Sequence, residues 1–169
     1  MQVTFRAAKY EDLDIIYELE TACFPKEIQI SYEYYKTALK TYPEHFLLLY
    51  VEHKFVGLIN ALPTNERTII DTMFEDASLY DKNGDNLALI GLMVLPEYQG
   101  KGYAQKLMRR FIRLAREERK KHLILTCRKE LVGFYQKFGF EYKGISNSML
   151  GGITWHELVL SVDSDDDYQ

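Results

Sequence analysis

Nine consecutive residues, Leu87-Ala88-Leu89-Ile90-Gly91-Leu92-Met93-Val94-Leu95, are all apolar or glycine. The run is too short to cross a bilayer, which takes roughly 20 residues, and it suits a strand covered on both faces. Such strands lie inside a sheet with helices packed on it, so this stretch already points to an α/β architecture. Gly91 within the run marks a bulge or a close backbone approach. Pro96-Glu97-Tyr98 leads out of it into Gln99-Gly100-Lys101-Gly102-Tyr103-Ala104. An amphipathic helix follows. Ala104, Leu107, Met108, Phe111, Ile112 and Ala115 share one face, with Arg109, Arg110, Arg113, Arg116, Glu117 and Glu118 largely opposite.

The flanking sequence completes a mixed α/β order. Val3 to Ala7 reads as a strand, and from Glu11 the positions Leu13, Ile16, Leu19, Ala22 and Cys23 recur at helical spacing up to Phe24-Pro25. Ser31 is an N-cap for a second helix from Tyr32 to Tyr42, stopped by Pro43. Phe46–Val51 and Phe55–Leu62 read as a hairpin turning at His53-Lys54. Asn65 to Asn86 is polar, with a helical turn between Asp71 and Leu79 and a turn-rich loop from Tyr80 to Asp85; a long excursion of this kind is mobile or functional. Leu123–Cys127 is a strand and Leu131–Phe138 a short helix with Gly139 as its C-cap. Phe140-Glu141-Tyr142 starts a further strand, and Thr154 to Val162 is the last. The expected fold is a single domain over residues 1–162, a central, mostly antiparallel sheet of about seven strands flanked by about four helices.

Composition excludes several classes. The 169 residues fit one domain, and 47% hydrophobic with 27% charged residues is the balance of a globular chain. The formal net charge is −4, but Asp163, Asp165, Asp166 and Asp167 crowd residues 163–169, an acidic tail, and the body is neutral without them. A neutral body has no field for nucleic acid or an anionic membrane. The first residues lack the basic-then-apolar layout of a signal peptide, which makes a cytoplasmic protein the default expectation. Cys23 and Cys127 do not form a disulfide framework, and His45, His53, His122 and His156 show no metal-ligand spacing. No metal is expected.

The glycines at 100 and 102 let the backbone curl so that N–H groups point inward, and the helix behind them adds unpaired donors and about half a positive charge. That is a cradle for a pyrophosphate, although a simple turn also accounts for two glycines. The loop lacks the Gly-Lys-Ser/Thr ending of a P-loop and the third glycine of a dinucleotide fingerprint.

Gln99, Gly102 and Ala104 occupy the defining positions of Gln/Arg-x-x-Gly-x-Gly/Ala, and the segment resembles the acyl-CoA signature of the GNAT N-acetyltransferases. A second element of that family is matched by Leu131-Val132-Gly133-Phe134-Tyr135-Gln136-Lys137-Phe138-Gly139-Phe140. Phe24, Tyr42-Pro43-Glu44, Cys127 and Gly152-Ile153-Thr154-Trp155 are similar to the arylalkylamine (serotonin-type) branch. The resemblance implies direct attack of an amine on the thioester of acetyl-CoA, bound as co-substrate. It implies backbone contacts to pantetheine from Leu92, Met93 and Val94, and phosphate binding by Gly100, Lys101, Gly102, Tyr103, Ala104 and Gln105. Tyr135 matches the general acid, and Phe24, Leu89, Leu92 and Trp155 match the aromatic-amine pocket.

The resemblance does not extend to the base. The arylalkylamine enzymes carry two strand histidines where this chain has Ala88 and Ile90, and neither can take a proton. His156 is a candidate replacement, though alternation beside Trp155 turns it away from the pocket. Glu97 reads as a solvated loop residue, and Asp71, Glu75 and Asp76 as either a solvated loop or a contact for a cationic substrate. Three readings stay open: acetyl transfer to a small aromatic or hydrophobic amine, acetyl transfer to a peptide N-terminus or lysine, and acyl-CoA binding without turnover. A monomer or a homodimer is expected, with no nucleic-acid or membrane partner.

Overall fold

The computed structural model describes residues 2–162; the acidic 163–169 segment lies outside the described residues. Seven strands form one sheet: β1 (Val3–Ala7), β2 (Phe46–Val51), β3 (Lys54–Thr64), β4 (Asn86–Val94), β5 (His122–Cys127), β6 (Glu141–Ile145) and β7 (His156–Ser161). Their order across the sheet is β1-β2-β3-β4-β5-β7-β6, and β4–β5 is the parallel pair in an otherwise antiparallel sheet. The four α-helices are α1 (Leu13–Cys23), α2 (Tyr32–Thr41), α3 (Tyr103–Glu117) and α4 (Val132–Gln136), interspersed with short 3-10 turns.

Each face of the sheet carries its own core. On one face Ile16, Leu19, Tyr35 and Leu39 of α1 and α2 pack on Leu48, Leu58, Ala88 and Met93. On the other, Leu107, Met108, Phe111 and Ala115 of α3 pack on Leu49, Ile59, Leu87 and Leu123. The continuous apolar character of β4 follows from this double coverage. Ser31 caps α2 as expected, its Oγ accepting the Tyr34 N–H at 3.1 Å.

Two local expectations change. The β2–β3 turn is Glu52-His53, with Val51 paired to Lys54, so Lys54 belongs to the strand. Both turn residues have positive φ, 48° and 69°, the geometry of a two-residue hairpin without the glycine that usually announces it. The 65–86 segment is strapped down: Ile69, Met73 and Ala77 are buried in the α1/α2 core. Tyr34 donates its hydroxyl to the Met73 carbonyl at 2.6 Å, and the Ile69 N–H reaches Glu157 at 3.0 Å.

Candidate active site

β4 and β5 share three paired positions, from Asn86↔His122 to Ala88↔Ile124, and then part. β3 departs from regular pairing at the same level. Asn60 faces Gly91 and Ala61 faces Leu89, which leaves Ile90 as the extra residue of a β-bulge. The bulge bends β4 away from β5, and beyond Ala88 the edge of β4 has no strand beside it. Gly91 is thus part of the bulge that its place in the sequence suggests.

A cavity of about 440 Å³ occupies this gap and passes from one face of the sheet to the other. Leu89 to Leu92 and Leu125 to Arg128 form its strand walls, Leu131 and Tyr135 close it on the α4 side, and Glu20, Cys23 and Phe24 on the α1 side. Its far end is made by Pro25, Ile28, Phe74, Leu150 and Trp155. All four residues expected for an amine pocket, Phe24, Leu89, Leu92 and Trp155, line this cavity. Trp155 is fixed by its indole N–H to the Leu150 carbonyl at 2.8 Å. A β-carbon at Gly151 would lie 2.5 Å from Ile28 Cγ2, so the glycine allows the 150–152 turn to close against the loop after α1.

Tyr135 is 7% exposed and wedged between Phe134 and Phe140, with ring centroids at 5.0 and 5.8 Å. Its hydroxyl makes no hydrogen bond to another described residue. Burial, with a smaller contribution from Cys127, holds the phenol well above its ordinary value, so it remains a proton donor. Cys127 is buried in the cavity wall and its thiol is pushed up to about 11 by burial.

A second cavity of about 310 Å³ lies beside the glycine loop, lined by Val94, Tyr98, Gln99, Gly100, Gly102, Tyr103, Ala104 and Gln105. Gly100 and Gly102 have φ of 77° and 90°, and nothing lies within 4 Å of the position a β-carbon would take on either. Gly102 caps the 15-residue α3, whose first intrahelical bond runs from the Lys106 N–H to the Gly102 carbonyl. The N–H groups of Tyr103, Ala104 and Gln105 therefore precede the helix's own ladder and face this space. Lys101 is the exception to the expected set: its ammonium lies 5.7 Å from the Tyr98 ring centroid, and the residue does not line the cavity. The Val94 carbonyl accepts from the Gln99 amide at 2.9 Å and from the Cys23 thiol at 3.3 Å. Of the three expected pantetheine-binding positions, Leu92 lines the large cavity, Val94 the small one, and the Met93 side chain is buried under α1 and α2.

An open cradle of backbone donors thus sits at the end of β4, and a slot between strands opens along the same strand. Together they suit a long ligand with an anionic end. A model of the Acetyltransferase (GNAT) family matches residues 13–140. The chain belongs to the GNAT acetyltransferase family. It is an acyl-CoA-dependent acetyltransferase by family, and acetyl-CoA is its co-substrate. Solved GNAT structures share the fold. The loading GNATL domain of CurA from Lyngbya majuscula has a TM-score of 0.83 at 16% identity, over 96% of this chain and 98% of that one. The GphF GNAT-like decarboxylase in complex with isobutyryl-CoA has a TM-score of 0.80 at 18% identity, over 94% and 99%. Arabidopsis thaliana Naa50, in complex with the bisubstrate analogue CoA-Ac-MVNAL, has 0.73 at 18% identity, over 95% and 99%.

Several candidates lie outside the GNAT cavity. His156 turns to the β6 side, its Nδ1 2.7 Å from the Tyr142 hydroxyl. Glu97 is exposed. Asp71, Glu75 and Asp76 do not line the cavity, so a contact with a cationic substrate there has no support. Asp71 accepts the Ser148 hydroxyl and, at 2.9 Å, the Met149 N–H; Asp76 caps Ser78 at 2.9 Å; Glu75 is exposed. Ala88 is buried in the α1/α2 core, and Ile90 lines the cavity without a titratable group.

Glu20 is the residue that sequence reading does not single out. It is 1% exposed, lines the cavity, and lies four residues after Ile16 and three before Cys23, on the buried stripe of α1. An acid at an apolar-stripe position is the signal that marks it. Among the described residues, no group of three or more His, Cys, Asp or Glu could hold a metal, and no helix is long and apolar enough to cross a membrane.

Proposed function

We propose that this GNAT enzyme transfers the acetyl group of acetyl-CoA to the primary amine of a small aromatic or hydrophobic molecule. The observation that carries the reading is the far end of the cavity, walled by Phe24, Phe74, Leu150 and Trp155. Flat apolar walls favour an arylalkyl body by area and by ring contact. A polyamine would call for several carboxylates, and Glu20 is the one acid in this wall. The similarity of Phe24, Cys127, Tyr135 and Trp155 to the arylalkylamine branch favours the same class.

In this reading the residues divide three tasks. The glycine loop and the first turn of α3 (Gly100, Gly102, Tyr103, Ala104 and Gln105) hold the pyrophosphate through backbone N–H groups. The unpaired edge of β4 from Leu92 to Val94 takes the pantetheine and leaves backbone dipoles at the thioester. Tyr135 gives its proton to the sulfur as the carbon–sulfur bond breaks, and takes up the second proton that the amine nitrogen loses as the amide forms. A thiol-release assay tests the proposal, comparing tryptamine and phenethylamine with spermidine and a short peptide. Preferential turnover of the aromatic amines is expected; turnover of the polyamine or the peptide alone overturns the substrate class.

A further inference from the structure

Direct attack needs a neutral amine, yet a primary alkylamine arrives as an ammonium ion near neutral pH. The strand positions Ala88 and Ile90 offer no proton acceptor. The other titratable groups of the cavity are no better suited. Cys23, Cys127 and Tyr135 are all held in their protonated forms, and Arg128 is an exposed cation.

Glu20 differs from all of these. Its carboxylate is held in place by two neutral donors: the Tyr35 hydroxyl reaches Oε1 at 2.5 Å and the Ile30 N–H reaches Oε2 at 3.0 Å. Among the described residues it has no cationic partner. A buried carboxylate with donors but no counter-charge is costly on its own and complementary to a cation entering beside it. Each oxygen keeps a further lone-pair direction after accepting one hydrogen bond.

We infer that Glu20 is the proton acceptor for the substrate ammonium, its carboxylate forming an O–H bond as the ammonium N–H bond breaks. The inference rests on the amine reading above. The freed nitrogen lone pair then forms the bond to the acetyl carbon, and the proton on Glu20 leaves to solvent after product release. Burial raises the Glu20 carboxyl above its ordinary value, while the Tyr35 and Ile30 hydrogen bonds pull it back. A raised value brings a carboxylate closer to the range in which it serves as a base near neutrality. The titratable groups next to it are Tyr35 from α2 and Cys23 from its own helix; Cys127, Arg128 and Tyr135 from the β5–α4 side line the same cavity, and β4 contributes no titratable group to it.

The test is the pH dependence of kcat/KM for tryptamine, with acetyl-CoA affinity measured in parallel by calorimetry. In the wild type the rate rises through the Glu20 value at low pH and falls at high pH as the ammonium form disappears. Glu20→Gln is expected to lower kcat/KM by about 10²–10⁴-fold and to abolish the low-pH limb, with acetyl-CoA affinity unchanged. Tyr35→Phe keeps the carboxylate but removes a hydrogen bond that favours its charged form, so the limb is expected to move to higher pH. If Glu20→Gln does not fold, Tyr35→Phe alone decides: an unmoved limb overturns the inference. An active Glu20→Gln with its low-pH limb intact overturns it as well, leaving the amine reading standing. A wild-type protein that binds acetyl-CoA but turns over no amine overturns both.

Discussion

Leu89 and Leu92 point to the same face of β4, although residues three apart on a regular strand point to opposite faces. The extra residue at Ile90 makes this possible, and it puts both leucines into one wall of the cavity. Gly91 gives the bulge its room: a β-carbon there would stand 3.0 Å from Asn60 Oδ1. Gly91→Val is therefore expected to cost about 1–3 kcal/mol of stability through overpacking and to weaken acetyl-CoA binding. Urea unfolding and calorimetry on the same sample check both effects.

Tyr135→Phe removes the proton donor and keeps the ring packing against Phe134 and Phe140. Turnover is expected to fall by about 10–1,000-fold with little change in stability. Because burial holds the phenol above its ordinary value, titration of Tyr135 is not expected to produce a high-pH limb below the amine's own. An unchanged steady-state rate in the variant removes Tyr135 from the reaction.

Gly102, at φ 90°, is the residue from which α3 starts. An L-residue pays roughly 1–2 kcal/mol to adopt a left-handed conformation, and relaxing that strain would turn the cradle's N–H groups away. Gly102→Ala is thus expected to reduce acetyl-CoA affinity about tenfold or more while leaving the amine cavity unaltered. Affinity for acetyl-CoA by calorimetry, beside the thermal midpoint, separates loss of the cradle from general destabilisation.

Asp12 receives both Arg6 guanidinium nitrogens at 2.8 Å and the Lys9 N–H at 2.7 Å. The Arg6 hydrogen bond holds the Asp12 carboxyl below its ordinary value, against the opposing effect of burial. The stabilisation is fully present above the unfolded-state value of about 4, and is lost as pH falls through the lower folded value. Asp12→Asn is expected to destabilise the fold by about 1–3 kcal/mol at neutral pH, and by progressively less in acid. Denaturant melts at pH 7 and pH 3 give the comparison.

Cys23 and Cys127 both have thiols pushed up to about 11, in each case chiefly by burial. Only the thiolate is a good nucleophile, so both are expected to react with iodoacetamide at pH 7.5 at least about tenfold more slowly than a free thiol. Intact-mass spectrometry over time reads the modification directly.

The parts of this molecule that were legible in its sequence are those encoded locally. β4, the glycine loop and α3 form one continuous stretch in which apolar run, glycine spacing and amphipathic period each speak for themselves. Ser31 marks the start of α2 in the same local way, whereas Gly139, expected as the cap of α4, lies past its end: α4 stops at Gln136 with Lys137 as C-cap, and Gly139 takes its φ of 99° in the turn that follows. The β2–β3 hairpin was legible but its turn was read one residue late, because the two positive φ values at Glu52 and His53 are borne without glycine or asparagine. Glu20 escaped for a different reason: its environment comes from Ile30 and Tyr35, and nothing near Glu20 in the chain announces them. The joint between Asp71 and Ser148 spans 77 positions, so an acid that reads locally as loop surface becomes a fastening for the cavity's far end.

That fastening separates the molecule's two specificities. On the proposed reading, the positions assigned to acetyl-CoA, Leu92 to Gln105, lie in one uninterrupted segment, whereas the proposed amine end is assembled from the loop after α1, the 71–74 turn and the β6–β7 connection. Exchanging residues in those three segments can retune the acceptor without disturbing the donor grip. Libraries for new acceptor amines should vary Phe24, Ile28, Phe74 and Leu150, and keep Asp71 and Ser148 as the hinge pin on which the variable parts are hung.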